Sequence, residues 1–181
     1  MPDAAFASSR FWQKHAVATS AALILIALSA YGYLWRSGPV MAADSGGYIS
    51  VAEDFASSMS RPQQRTPGMP LLMAIIGLPP GRGFVWLQLA LHGMATVCGV
   101  VLLRFCGLQA LPILAFALLM ATPLYVQSSR IVLTETAAEG ALLLTISLWL
   151  LTFKTTKWWA AVVCGFLAGY AALVRPSYQL L

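Results

Sequence analysis

Residues 15–35, "HAVATSAALILIALSAYGYLW", decide the fold class of this chain. About 20 consecutive apolar residues are needed to cross the hydrocarbon core of a bilayer, and this run supplies them. A secretory signal peptide has a shorter apolar core of about 7–15 residues, followed by a small-residue cleavage site. This run ends instead in Tyr31, Tyr33 and Trp35, the aromatic residues typical of a membrane interface. We therefore predict an uncleaved first transmembrane helix, with residues 1–14 in the cytoplasm.

The composition of the whole chain points the same way. Of its 181 residues, 59% are hydrophobic and 9% are charged, whereas a soluble domain carries about 25% charged residues. The formal net charge of +5 does not indicate a nucleic-acid partner, because the basic residues are scattered singly between apolar runs and do not alternate with aromatics. The composition therefore predicts an integral membrane protein.

Further apolar runs predict the rest of the architecture. The run 69–78 is too short to span and is closed by Pro79 and Pro80, so it predicts a re-entrant or interfacial helix. Longer runs follow it, and we predict one all-α membrane domain over residues 1–181, a polytopic transmembrane helix bundle with short amphipathic helices in its first outer loop, 36–83. The predicted spans are 15–35, 84–103, 110–126, 131–153 and 158–174.

The charges that flank these spans are the sequence evidence on their orientation. With the N-terminus inside, residues 36–83, Arg130 and Arg175 lie outside the cell. Five of the 11 Lys and Arg residues then fall inside and six outside, so the positive-inside count does not decide the orientation. The basic N-terminal flank and the short loop "KTTK" at 154–157 favour it. We predict a multi-pass protein of the inner (plasma) membrane with a cytoplasmic N-terminus.

The outer loop opens with "DSGGYISVAEDFASS", residues 44–58. Tyr48, Val51, Ala52 and Phe55 fall on one helical stripe, which predicts a short amphipathic helix on the outer surface. Asp44 stands at its N-terminus, where Asp is among the best capping residues. A carboxylate there could also act in catalysis, and the residues alone leave both interpretations open.

The segment "RTPGMP", residues 65–70, is the second polar feature of the loop. Pro67 fixes its φ angle and Gly68 permits a turn, so the backbone after Arg65 is stiffly placed. A guanidinium held near a membrane surface suits a phosphate, because it stays charged and donates two parallel hydrogen bonds. Binding to lipid headgroups explains the same residue equally well.

Two acids lie near the outer end of the run 131–153. Glu135 and Glu139 are one helical turn apart, and an ionisable group inside a bilayer costs about 2.5–3.5 kcal/mol on insertion scales. Glu135 could form an ion pair with Arg130 or Arg175, or it could serve a function, and the sequence leaves these alternatives open. No nucleophile-and-base set accompanies the acids, and "GLPPGRG", residues 77–83, lacks the Lys of a nucleotide-binding loop.

Four short motifs in a fixed order carry a resemblance to a known family. They are an Asp-x3-Tyr-x3-Ala segment, "DSGGYISVA" (44–52), the turn "RTPGMPLL" (65–72), "LTET" (133–136) and "LVRP" (173–176). Their order and their spacing among the apolar runs resemble the polytopic glycosyltransferases of the GT-C superfamily. The branch they resemble is the bacterial one related to dolichyl-phosphate-mannose protein mannosyltransferases and the lipid A aminoarabinose transferase.

The resemblance implies a reaction and a role for each candidate residue. The sugar donor would be a polyprenyl-phosphate-linked sugar, and the acceptor a glycan, lipid or protein at the outer face, with inversion at the anomeric carbon. Asp44 would be the general base and Arg65 the phosphate ligand. Tyr48 would support the loop, and Glu135 and Arg175 would line the outer cavity. No cofactor is implied, and no ligand spacing in the sequence demands a divalent metal.

A non-enzymatic membrane protein is the alternative hypothesis: part of a transporter for lipids or small solutes, or an assembly subunit. A transport path would need charged residues through the middle of the bilayer, whereas the charges here gather at one end of the predicted spans. The enzyme hypothesis requires those residues to converge on one outer cavity. Because GT-C proteins usually carry many more helices, we expect this chain to be the N-terminal portion of a longer module.

Overall fold

The computed structural model describes the backbone of residues 3–58, 67–132, 134–155 and 158–174. The all-α prediction is confirmed there: helices are the regular secondary structure of the described residues. The β-type pairing among them is one isolated bridge between Val40 and Ile131. The helices are α1 (Asp3–Leu34), α2 (Ser45–Ser58), α3 (Gly68–Ile76), α4 (Arg82–Phe105), α5 (Ala110–Met120), α6 (Pro123–Val126) with a 3-10 turn (Gln127–Arg130), α7 (Glu135–Thr155) and α8 (Trp158–Val174).

Two helices are long and apolar enough to cross a membrane, judged on the described residues. They are the part His15–Leu34 of α1 and the whole of α4, where spans were predicted. The pair α5 and α6 with its 3-10 turn would make a third span if counted as one, although it bends by 51°. Helix α8, with 17 residues, is about 26 Å long against a hydrocarbon thickness of about 30 Å. Membrane crossing by α7 and α8 stays a prediction.

Successive long helices run in opposite directions. A Cβ atom on Gly93 of α4 would stand 2.7 Å from Leu28 Cδ1 of α1, and Gly32 of α1 lies against the Trp86 ring. The C-terminus of α1 therefore lies beside the N-terminus of α4. We call the end that holds Leu34, Arg82, Arg130, Glu135 and Val174 the loop end, and the end that holds Phe105, Ala110, Thr155 and Trp158 the opposite end.

The predicted span 110–126 is broken in the structure. Pro123 has no backbone N–H, and its ring would clash with the carbonyl four residues earlier in a continuous helix. The residue before a proline is pushed towards extended backbone, and Thr122 accordingly has ψ 153°. Helix α5 therefore ends at Met120, and the chain continues at an angle of 51°.

Neighbouring helices satisfy the backbone carbonyls that this break leaves without helical partners. The buried His92 of α4 donates its Nε2–H to Met120 O at 2.9 Å, and Tyr31 of α1 donates its hydroxyl to Ala121 O at 3.3 Å. An unpaired carbonyl in apolar surroundings costs several kcal/mol, so these two donors offset the cost of the break. The observed role of His92 is thus to satisfy a backbone carbonyl at the break.

Two apolar clusters hold the molecule together, and α4 contributes to both. Each is a set of buried side chains from non-consecutive helices, so each cluster fixes one group of helices relative to α4. The first cluster lies between α1, α4 and α5 and includes Ile24, Leu28, Leu89, Ile113 and Ala117. The second lies at the loop end and includes Ala52, Met69, Met73, Phe84, Val132, Ala138 and Val174.

Candidate functional site

Asp44 lies at the loop end, immediately before the first residue of α2, and its side chain is exposed. The next residue, Ser45, is fully buried and connects the loop to the segment that leads into α7. Its Oγ donates to Val132 O at 2.9 Å and accepts the Ala42 N–H at 2.7 Å. The backbone at Asp44 is therefore held in place by its neighbour.

Helix α2 presents the stripe expected from the sequence. Val51 and Ala52 are buried, Tyr48 and Phe55 are half-buried, and the acidic side of the helix is exposed. Tyr48 packs against the second cluster, which includes Ala52 and residues of α7 and α8. Helix α2 is thus amphipathic, as predicted, while its place on an outer surface and the supporting role of Tyr48 stay predictions.

The residue Glu135 begins α7 at the same end of the molecule and is exposed, whereas Glu139 one turn later is half-buried. A carboxylate in the first turn of a helix is stabilised by the helix dipole by about 0.3–1 kcal/mol, which gives Glu135 a structural role whatever its function. Val132, the acceptor of the Ser45 hydroxyl, stands shortly before it in the chain. The Ser45–Val132 bond therefore brings the two exposed acids, Asp44 and Glu135, to one end of the helices.

Arg130 makes contacts that differ from those considered for it from the sequence. Its Nη2 donates to Ser37 Oγ at 2.6 Å, and its Nε donates to Gly38 O at 3.2 Å. The backbone beside it pairs with the loop, since the Val40 N–H donates to Arg130 O at 2.8 Å. Arg130 thus connects the end of the 3-10 turn to the chain leaving α1, a long-range role that no local pattern indicated.

The predicted ligands Arg65 and Arg175 lie outside the described residues. Gly68 and Val174, which lie near Arg65 and Arg175 in the sequence, are in direct contact. A Cβ on Gly68 would stand 2.7 Å from Val174 N and 2.8 Å from Leu173 C. Gly68 begins α3. Glycine is needed there because the end of α8 approaches closely, whereas the sequence predicted a turn at Gly68.

The described site therefore consists of two exposed carboxylates, a supporting aromatic side chain and a close helix contact. Carboxylates in such a position can accept a proton from a substrate hydroxyl. Among the described residues, no group of three or more His, Cys, Asp or Glu side chains is placed to hold a metal ion. Comparison with family models, curated proteins and solved structures finds no match for this chain.

Proposed function

We propose that this chain is part of a polytopic glycosyltransferase that moves a sugar from a polyprenyl-phosphate donor to a hydroxyl acceptor on the outer face of the plasma membrane. The observation that carries the proposal is the Ser45 Oγ–Val132 O bond of 2.9 Å, because it gathers Asp44 and Glu135 at one end of the helices. The Gly68–Val174 contact brings the start of α3 and the end of α8 to that same end.

The proposed reaction is a single displacement with Asp44 as general base. The Asp44 carboxylate accepts the proton of the acceptor hydroxyl, whose oxygen attacks the anomeric carbon of the sugar. The bond between that carbon and the phosphate oxygen breaks, and polyprenyl phosphate leaves with the electron pair. Arg65 offsets the charge that develops on the phosphate, as preorganised cations do in other transfer reactions. Attack opposite the leaving group inverts the anomeric carbon.

The remaining candidate residues hold the reaction in place. Tyr48 fixes α2 on the second cluster, so that Asp44 keeps its position at the start of that helix. Glu135 and Arg175 line the outer cavity and orient the acceptor, which is a glycan, a lipid or a protein. A donor embedded in the bilayer presents its phosphate at the membrane surface, so a site at the ends of the spanning helices can reach it.

The competing hypothesis, a transporter piece or an assembly subunit, has one feature in its favour: a buried polar stripe of Gln88, His92 and Thr96 along the middle of α4. Two of the three are used structurally, however. His92 binds Met120 O, and the Thr96 hydroxyl donates to His92 O at 2.8 Å. Residues 83–103 of α4 contain no Asp, Glu, Lys or Arg. These observations favour the enzyme.

The decisive experiment measures sugar transfer by Asp44→Asn in proteoliposomes supplied with a radiolabelled polyprenyl-phosphate sugar and membranes as the acceptor source. Removing a general base typically costs 10²–10⁴-fold, so we expect a fall of that order. Glu53→Gln is the matched control, because Glu53 is exposed on α2 and away from its start. Full turnover by the Asn variant would make Asp44 a helix cap alone and would contradict the proposed mechanism.

A further inference from the structure

A small cavity of about 230 Å³ lies at the loop end between the C-terminus of α1 and the 3-10 turn. Tyr31 and Trp35 form one side, with ring centroids 5.2 Å apart, and Gln127 and Arg130 stand on the other. Pockets for drug-sized ligands measure about 300–1,000 Å³, so this cavity fits a single small group. It involves none of the residues assigned to the transfer reaction.

The charge in this cavity is positive. The described residues lining it include Arg130 and no carboxylate. The two hydrogen bonds of its guanidinium go to neutral acceptors, Ser37 Oγ and Gly38 O, through Nη2 and Nε. A guanidinium has five N–H donors, so these bonds fix its orientation and leave donors for a ligand. The Arg130 Cζ also lies 5.9 Å from the Trp35 ring centroid, which adds a cation–π contact and holds the plane of the group.

The residues around the cavity are of the types found at membrane interfaces. Tyr31, the exposed Tyr33 and Trp35 lie around the end of the candidate span His15–Leu34, and Trp and Tyr are enriched at such ends, at the headgroup level. Leu34 and Leu124, the chain neighbours of the lining residues Trp35 and Pro123, are 70% and 78% exposed. Those side chains offer a contact for hydrocarbon next to a cationic, headgroup-sized hollow.

We propose that this cavity binds the phosphate of a membrane phospholipid, with Arg130 as the cationic donor, Gln127 as a second donor, and Leu34 and Leu124 against the acyl chains. Arginine is suited to phosphate because its planar fork can donate to two oxygens at once. The bound lipid would fasten the loop-end chain 35–40 to the 3-10 turn from outside, beside the hydrogen bonds that already join them. The proposal does not depend on the transfer reaction.

The test uses the delipidated full chain in detergent and counts bound lipid by native mass spectrometry, with phosphatidylglycerol as probe. Gln127→Glu places a carboxylate beside Arg130 without removing the bonds to Ser37 and Gly38. A hydrogen bond to a charged group contributes about 1.5–3 kcal/mol, so we expect roughly tenfold or greater weakening of phosphatidylglycerol binding. Gln109→Glu, the same change at an exposed residue of the opposite end, is the matched control and should bind like the wild type.

Two further arms identify the source of the phosphate. Diacylglycerol, which lacks it, should not be retained. Inorganic phosphate at millimolar concentration should leave phosphatidylglycerol bound if the lipid is the ligand, and should displace it if free phosphate is. Equal binding of phosphatidylglycerol by wild type and Gln127→Glu, or retention of diacylglycerol as strong as that of phosphatidylglycerol, would overturn the proposal. Sugar transfer by Gln127→Glu should equal that of the wild type, which separates this site from the proposed active site.

Discussion

The loop end and the opposite end of this molecule are built differently. At the loop end, hydrogen bonds join residues far apart in sequence, as between Ser45 Oγ and Val132 O or between Arg130 Nη2 and Ser37 Oγ. At the opposite end, α4 and α5 are joined by a short turn, and the Arg104 Nη1 donates at 3.4 Å to Leu108 O, four residues away. Long-range polar contacts thus occur where the candidate site residues lie, and local ones where the chain merely reverses direction.

This difference has a physical reason. A turn needs few contacts, and the exposed polar groups in it can bind water. A loop that must hold a carboxylate in a fixed place has to satisfy its own backbone groups and pack its apolar residues, as α2 and α3 do in the second cluster. The comparison therefore predicts that similar substitutions at the two ends have unequal effects.

The largest expected effect on stability is that of Gly68→Val at the loop end. The new side chain would meet backbone atoms of Leu173 and Val174 at less than 3 Å, so a helix has to shift, and overpacking of this kind costs about 1–3 kcal/mol. At the opposite end, Gly107→Ala meets no atom within 4 Å but keeps a φ of +84°, so it should cost about 1 kcal/mol through backbone strain alone. Reversible unfolding in mixed micelles measures both, and equal losses would contradict the close contact between α3 and α8.

A smaller effect is expected from the pair Arg130→Met and Arg104→Met. The first removes two hydrogen bonds between distant segments at a half-buried site and should cost about 1–2 kcal/mol. The second removes one long, exposed hydrogen bond and should stay within about 0.5 kcal/mol. The same unfolding assay compares them. A larger loss for Arg104→Met would reverse the comparison of the two ends.

The helices that could be predicted from the sequence are those whose signal is local. The apolar runs at 15–35 and 84–103 correspond to α1 and α4, and the stripe through Tyr48 and Ala52 predicted α2. The break before Pro123 had a local signal as well, since proline disrupts a helix. The apolar run 110–126 nevertheless favoured one continuous span. The length of an apolar run measures hydrophobicity and does not show where a proline removes a backbone hydrogen bond.

The contacts that build the candidate site could be predicted from the sequence only in part. The predicted alternation of the spans places Asp44 and Glu135 at the same end, because two crossings, an even number, separate them, and the structure has both residues at the loop end. The pairing of Val40 with Ile131 and the Ser45–Val132 bond join segments about 90 residues apart, and neither leaves a trace in local composition. The roles of Arg65 and Arg175 stay predictions.

The central claim is that the loop after α1 is joined to the start of α7, so that Asp44 and Glu135 share one end. Disulfide formation in membranes between Val40→Cys and Ile131→Cys tests it, in a chain whose Cys98, Cys106 and Cys164 are replaced by alanine. Paired backbones lie about 4.8 Å apart, within the Cα separation of about 4.4–6.8 Å that a disulfide spans. We expect rapid cross-linking of this pair and none between Val40→Cys and Gln109→Cys, whereas no cross-link between positions 40 and 131 would contradict the account.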